Sequence, residues 1–187
     1  MGQADLTRQR LARAALELFT TKGYHLTTTP LIAKKAGVAE GTIYRHFSSK
    51  QALLNEVFRG AARWAQQAIG NATTGSPQER LTAVARALVD AAARDPGVIR
   101  VLFLIPHGDL LDDRSRSADR TMRAAVEAII AQGKAEGAVR PGGVEVWSGV
   151  WLSVVALAMP RVAEKTWRAD DATVSAVIDA AWRSIGA

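Results

Sequence analysis

Between Ala36 and Lys50 the chain reads AGVAEGTIYRHFSSK, and Glu40, Thr42, Tyr44, Arg45 and His46 put a carboxylate, two hydroxyls, a guanidinium and an imidazole within seven positions. Such groups match the edges of nucleobases and the oxygens of phosphate. Only one other stretch is comparably rich. In PHGDLLDDR, His107, Asp109, Asp112 and Asp113 follow no regular ligand spacing and read as a solvated loop, with no metal expected. The chain has no cysteine and only three histidines, His25, His46 and His107. Zinc–thiolate sites and cysteine nucleophiles are therefore excluded. No phosphate-binding P-loop, dinucleotide fingerprint or nucleophile elbow occurs either, so neither an enzyme nor a cofactor is expected.

Charge is unevenly placed. Residues 1–60 carry nine Lys/Arg against four acids, whereas the remaining 127 carry fifteen against fourteen, so nearly all of the net +6 lies in the first third. That asymmetry is expected when one module meets an anionic polymer and the other does not. No secretory leader is evident, and the longest apolar stretch, VWSGVWLSVVALAMP, reads as too short for a bilayer. A soluble, cytoplasmic protein without a membrane partner is the expectation.

The elements that must position these groups are helical nearly throughout. Leu11, Ala14, Ala15, Leu18 and Phe19 recur at helical spacing, and Gly23 stops that helix. Thr28 is an N-cap candidate, with Pro30 in the first turn of a short helix ending near Ala36. A second short helix fits Glu40 to Phe47. Ser48 and Gln51 spell a capping box for a long helix through Leu53, Leu54, Val57, Phe58 and Ala61. After GNATTGSP, helical patterns cover roughly 77–94, 97–105, 116–136, 144–164 and 171–185. The predicted fold is all-α, about nine helices, with a three-helix head at residues 1–50 and a helical body at 51–187.

Two short helices joined by a tight turn and packed on an amphipathic helix describe a helix-turn-helix. Gly37 falls where the chain must leave the first helix, a place for positive φ. Ile32, Ala33, Ala36, Val38, Ile43 and Phe47 supply a mini-core with Leu18 and Phe19. Gly41 leaves room where backbone would approach a DNA strand, and Thr42, Tyr44, Arg45 and His46 fall largely off the core side. Lys50 lies in a first helical turn, where a cation opposes the helix dipole unless a phosphate docks there.

At these residues the resemblance to a known family is plain. TTTPLIAKKAGVAEGTIYRHFSSKQALL is similar, without a gap, to the DNA-binding head of the TetR family of bacterial transcriptional regulators. The resemblance implies a homodimer on palindromic operator DNA, most often a repressor, released by a small effector held in the C-terminal domain. It places Thr28 and Thr29 near phosphate, Glu40, Gly41, Thr42, Tyr44 and Arg45 on a groove-facing recognition helix, and His46 and Lys50 on phosphates; Lys35, by its charge, and Ala39, within the 39–45 readout stretch, are further DNA-binding candidates. Pro30 departs from relatives that carry a longer polar side chain there, and proline cannot hydrogen-bond a base edge.

The segment from Val144 to Met159 is apolar on nearly every side, which calls for burial on every side. With the last helix it is expected to form a four-helix dimer interface through Trp147, Val150, Trp151, Val154, Val174, Val177, Ile178, Ala181 and Trp182. Trp64, Phe103, Trp147, Trp151 and Met159 are expected to line a pocket for an apolar or aromatic effector.

Overall fold

The computed structural model describes residues 2–187, and among them the all-α expectation holds, with some helix bounds shifted. The head comprises α1 (Gln3–Thr21), α2 (Thr29–Ala36) and α3 (Gly41–His46). The long α4 (Lys50–Gly70) leads into α5 (Pro77–Arg94), α6 (Pro96–Ile99), α7 (Asp113–Ala135), α8 (Val144–Ala156), α9 (Ala158–Ala163) and α10 (Ala172–Ile185). In the head α1 packs on α2 and α4; in the body α4 packs on α7, α8 on α10, and α5 on α9. The buried residues form one continuous apolar cluster running from Leu11 to Ile185, so no solvent layer separates head from body.

Several boundaries have local causes. Ser76 and Glu79 form the expected reciprocal cap of α5: the Ser76 hydroxyl accepts from the Glu79 N–H, and the Glu79 carboxylate accepts from the Ser76 N–H at 2.8 Å. The α4 cap is shifted by one residue. Ser49, not Ser48, accepts from the Ala52 N–H at 3.0 Å, and Gln51 turns away to donate to the Leu110 carbonyl at 2.9 Å. The helix expected over 97–105 is a single α turn, α6, that widens into a π turn at Arg100–Leu104. The next helix begins at Asp113, three residues earlier than expected, because the Asp112 carboxylate caps the Ser115 N–H at 2.8 Å.

The apolar segment expected over 144–164 is interrupted at Leu157, which separates α8 from α9. Its reading as too short for a bilayer is corrected. From Val144 to Ala163 it is 20 residues long, with an 18-residue window of mean hydropathy 1.4, long and apolar enough by composition to cross a membrane. What occupies it is packing, with Trp151, Val155, Ala158, Met159 and Val162 enclosed among the other helices.

Behind α7 the chain closes on its own end. Arg140 accepts the C-terminal turn by donating from its guanidinium to the Gly186 carbonyl at 2.8 Å and the Arg183 carbonyl at 3.1 Å. Gly133 permits this closure: a Cβ there would lie 2.8 Å from Val139 and 3.1 Å from Pro77.

Candidate nucleic-acid interface

The turn between α2 and α3 is built on Gly37, whose φ of +65° is a conformation that side-chain-bearing residues rarely adopt. From there α3 presents two faces. Ile43 and Phe47 are buried, while Ala39, Glu40, Gly41, Tyr44 and Arg45 are exposed and Thr42 and His46 are half-buried. A Cβ added to Gly41 would meet nothing within 4 Å, so the open side of this glycine faces away from the protein. Tyr44 is 58% exposed, and its phenol shares a 3.1 Å hydrogen bond with the Thr29 hydroxyl. That bond ties the start of α2 to the outer face of α3, so Thr29, Tyr44 and Arg45 form one polar surface. Thr28 caps α2 only loosely, its hydroxyl accepting from the Leu31 N–H at 3.5 Å.

Two basic residues have partners that the sequence did not reveal. Lys35 is paired to Glu17 of α1 at 2.6 Å, whereas its neighbour Lys34 is exposed and makes no ion pair among the described residues. The Lys35 pair is solvent-exposed, worth about 0–1 kcal/mol, and a polyanion can exchange it easily. Lys50 donates to the carbonyls of Tyr24 and Thr27, each at 2.9 Å, and its ammonium lies 4.2 Å from the centre of the Tyr24 ring. It is foremost a strut holding the α1–α2 turn against the start of α4, which explains a cation in a first helical turn without invoking phosphate. Two of its three protons point into the protein.

Sequence reasoning missed the residue that holds the recognition helix. Arg8 of α1 donates to the His46 carbonyl at the end of α3 at 2.9 Å, lies 4.5 Å over the Phe47 ring, and pairs with Glu56 of α4 at 3.1 Å. Glu56 also accepts from Arg59, and Arg59 reaches Asp112 and Ser115 at the start of α7, both at 3.1 Å. Asn55, 1% exposed, completes the junction. Its amide nitrogen donates to the carbonyls of Gln51 and Leu110, each at 2.9 Å, and its oxygen accepts from the Asp112 N–H at 2.8 Å. A polar chain thus runs from the recognition helix through α4 to the loop before α7. In sequence, Arg8 showed only as a charge off the apolar stripe of α1.

Burial works against the Glu56 carboxylate, but hydrogen bonds and charge from Arg59 and Arg8 outweigh it and hold its carboxyl below the usual range. A depressed carboxyl contributes stability in full above its unfolded value, about 4.3, and loses it as pH falls through the lower folded value. Glu56→Gln is therefore expected to lower stability at pH 7 by about 1–2 kcal/mol, intermediate between exposed and buried pairs. Thermal melts of both proteins should converge in acid below that range.

The residues expected around an effector are not gathered in one place. Phe103 lines a groove of about 400 Å³ with Phe58, Leu111, His107 and Arg123. Trp64 borders two smaller grooves of about 340 and 310 Å³, one against α5 and one against α1. Trp151 and Met159, at 1% and 0% exposure, are core residues rather than pocket lining, since nothing reaches them without opening the helix packing. Trp147 covers the 140–142 turn, with Arg140 5.7 Å from its ring. Its Nε1 is enclosed and unpartnered among the described residues. In the loop read as solvated, His107 Nε2 lies 2.6 Å from the Val101 carbonyl oxygen, Asp112 caps α7, Asp113 pairs with Arg116, and Asp109 is exposed.

The dimer expectation also needs correction. Trp151, Val174, Val177, Ile178 and Ala181 are buried within the protomer, where α8 packs on α10, and cannot also face a partner. The half-buried Trp147, Val150, Val154 and Trp182 remain available. A separate stripe of α8 is open: Val146 is 55% and Leu157 47% exposed, with Gly149 and Ser153 exposed between them.

A short recognition helix braced on two others and continued by a long helix into an α-helical body defines a helix-turn-helix regulator. Residues 11–57 match the family described as bacterial regulatory proteins of the tetR family. The HTH-type transcriptional repressor KstR2 of Mycolicibacterium smegmatis is 30% identical over 151 residues, 75% of this chain and 71% of that protein. The HTH-type transcriptional regulator SrpR of Pseudomonas putida is 46% identical over 56 residues, 30% of this chain and 26% of its own length. A TetR-family transcription regulator from Marinobacter aquaeolei VT8 superposes with a TM-score of 0.85 at 18% identity, over 97% of this chain and 96% of that one. The chain belongs to the TetR family. It is a ligand-responsive, DNA-binding transcriptional regulator.

Proposed function

We propose that this regulator is a repressor that binds a palindromic operator as a homodimer through residues 1–50 and is released when an apolar or aromatic effector enters residues 51–187. The observation that carries the reading is the outward face of α3. Glu40, Gly41, Tyr44 and Arg45 are exposed on a helix whose other side is locked by Ile43 and Phe47, in the part of the chain that holds the charge excess. Arg45 suits a guanine edge or phosphate, Ala39 and Thr42 share its groove-facing segment, and Thr28, Thr29 and His46 take phosphate-contact positions. Lys34 joins them as an exposed cation, while Lys35 and Lys50 contribute after the loss or sharing of their present partners.

Titration against the DNA upstream of its own gene at two salt concentrations tests this. Specific binding should exceed non-specific binding by at least about 10³ and weaken steeply with salt. Equal affinity for every sequence would overturn the operator reading.

The open stripe of α8, with Val146, Val150, Val154 and Leu157, supports pairing with a second copy beside α10. Leu157→Arg is expected to turn a dimer into a particle of 20.0 kDa by light scattering. An unchanged mass would place the interface elsewhere. A dimer bound in the cytoplasm to two half-sites must hold its recognition helices about 34–36 Å apart.

The groove beside Phe103 is the best-supported effector site. Phe58, Leu111 and the π-turn residues offer apolar walls, and the loop that closes it carries Leu110 and Asp112, the groups latched to α4 by Asn55 and Arg59. An effector that displaces this loop releases the latch and lets α4 tilt. Coupling of this kind is reciprocal, so operator DNA must weaken effector binding by the same factor.

A further inference from the structure

We propose that the crevice where α1 meets the Asp95–Arg100 segment is a second ligand site, for a small hydroxylated anion carrying one carboxylate or one phosphate. The cavity has a volume of about 240 Å³, roughly that of eight water molecules. One wall is α1, with Glu17, Thr20 and Thr21; the other is Asp95 to Arg100, closed at one end by Ala163 of α9. Head and body touch at its floor, where Gly97 fits so tightly that a Cβ would lie 3.0 Å from Leu16.

Of the four charged residues that line it, Arg13, Glu17, Asp95 and Arg100, only Arg100 has no ion pair among the described residues. Glu17 is paired with Lys35, and Asp95 with Arg13. Arg100 is half-buried and makes no side-chain hydrogen bond or ion pair among the described residues. A partly enclosed guanidinium without a partner has five donors to offer and gains by accepting an anion. The two threonines add the complementary function. The Thr20 hydroxyl donates to the Leu16 carbonyl at 2.8 Å and that of Thr21 to the Glu17 carbonyl at 2.7 Å. What they offer the crevice is lone pairs, which suit the O–H groups of a ligand whose charged end meets Arg100. The site lies apart from the groove beside Phe103 and does not depend on the effector reading. Its occupant would fasten α1 of the head to the body, and so bear on DNA affinity from a different place.

The test uses glycerol 3-phosphate and gluconate as probes, with neutral glycerol and ionic-strength-matched sodium chloride as controls, on the full-length protein and on Arg100→Gln. Near hundredfold saturation either anion should raise Tm by about 5 °C. The controls should not, and Arg100→Gln, folded with an unchanged ligand-free Tm, should lose the shift. A response to glycerol 3-phosphate alone assigns a phosphate ligand, and a response to gluconate alone a carboxylate. No shift with either anion overturns the proposal. So does a shift that survives in Arg100→Gln, since the anion would then be bound on the basic face of the head.

Discussion

Replacing Thr42 and Tyr44 together by alanine is expected to weaken operator binding by about two orders of magnitude while leaving the fold intact. Tyr44 is 58% exposed and Thr42 half-buried, so neither supports the core in the way that Ile43 and Phe47 do. Their removal deletes hydroxyl contacts and the Thr29–Tyr44 bond that ties the start of α2 to the face of α3. In a symmetric dimer each loss counts twice, so a deficit of about 1–1.5 kcal/mol per head gives roughly 30- to 150-fold. Band-shift or anisotropy titration at fixed salt measures it, with circular dichroism as the check on folding. Undiminished affinity in a folded double mutant would remove readout from α3 and leave the head as a phosphate-seeking surface.

The second large effect is expected at Asn55. Asn55→Leu keeps the branched heavy-atom shape but leaves the Asp112 N–H and the Leu110 carbonyl without their partner at a place 1% exposed. Each abandoned buried group costs about 1–3 kcal/mol. The Leu110 carbonyl keeps its bond from Gln51, so the total should be about 2–4 kcal/mol, or roughly 5–15 °C in Tm for a chain of this length. The functional consequence follows from the same geometry. With the loop before α7 unlatched from α4, effector and operator should no longer oppose one another strongly, and the reciprocal factor should shrink toward one. A variant that is destabilised yet retains full coupling would show that the latch only holds the fold, with the signal carried elsewhere.

How much of this was legible beforehand depended on the range of the interaction. Gly37, Ile43 and Phe47 were readable because a tight turn and a three-helix mini-core impose strict local demands on backbone and size. The α5 cap was readable because Ser76 and Glu79 are three residues apart. At α4 the same kind of motif was placed one residue too early, because Gln51 had a better partner in Leu110, fifty-nine residues away in sequence. Lys50 was read as an anomaly awaiting phosphate. It proved to be bonded to two carbonyls of a turn more than twenty residues back, a pairing invisible to helical periodicity.

The helix order, the apolar stripes, the turn glycine and the uneven charge were determined by sequence alone, because each is set by neighbours within about four positions or by simple counting. Tertiary structure decided which apolar residues are surface and which are core. Periodicity shows that a helix has apolar faces, but not which face another helix of the same chain already covers. For that reason Trp151, Val177 and Ile178 moved inside the protomer, while Val146 and Leu157 were left facing out. It also decided the chain from Arg8 through Glu56 and Arg59 to Asp112, since Arg8 and Glu56, 48 residues apart, and Arg59 and Asp112, 53 apart, meet only when the helices carrying them are packed.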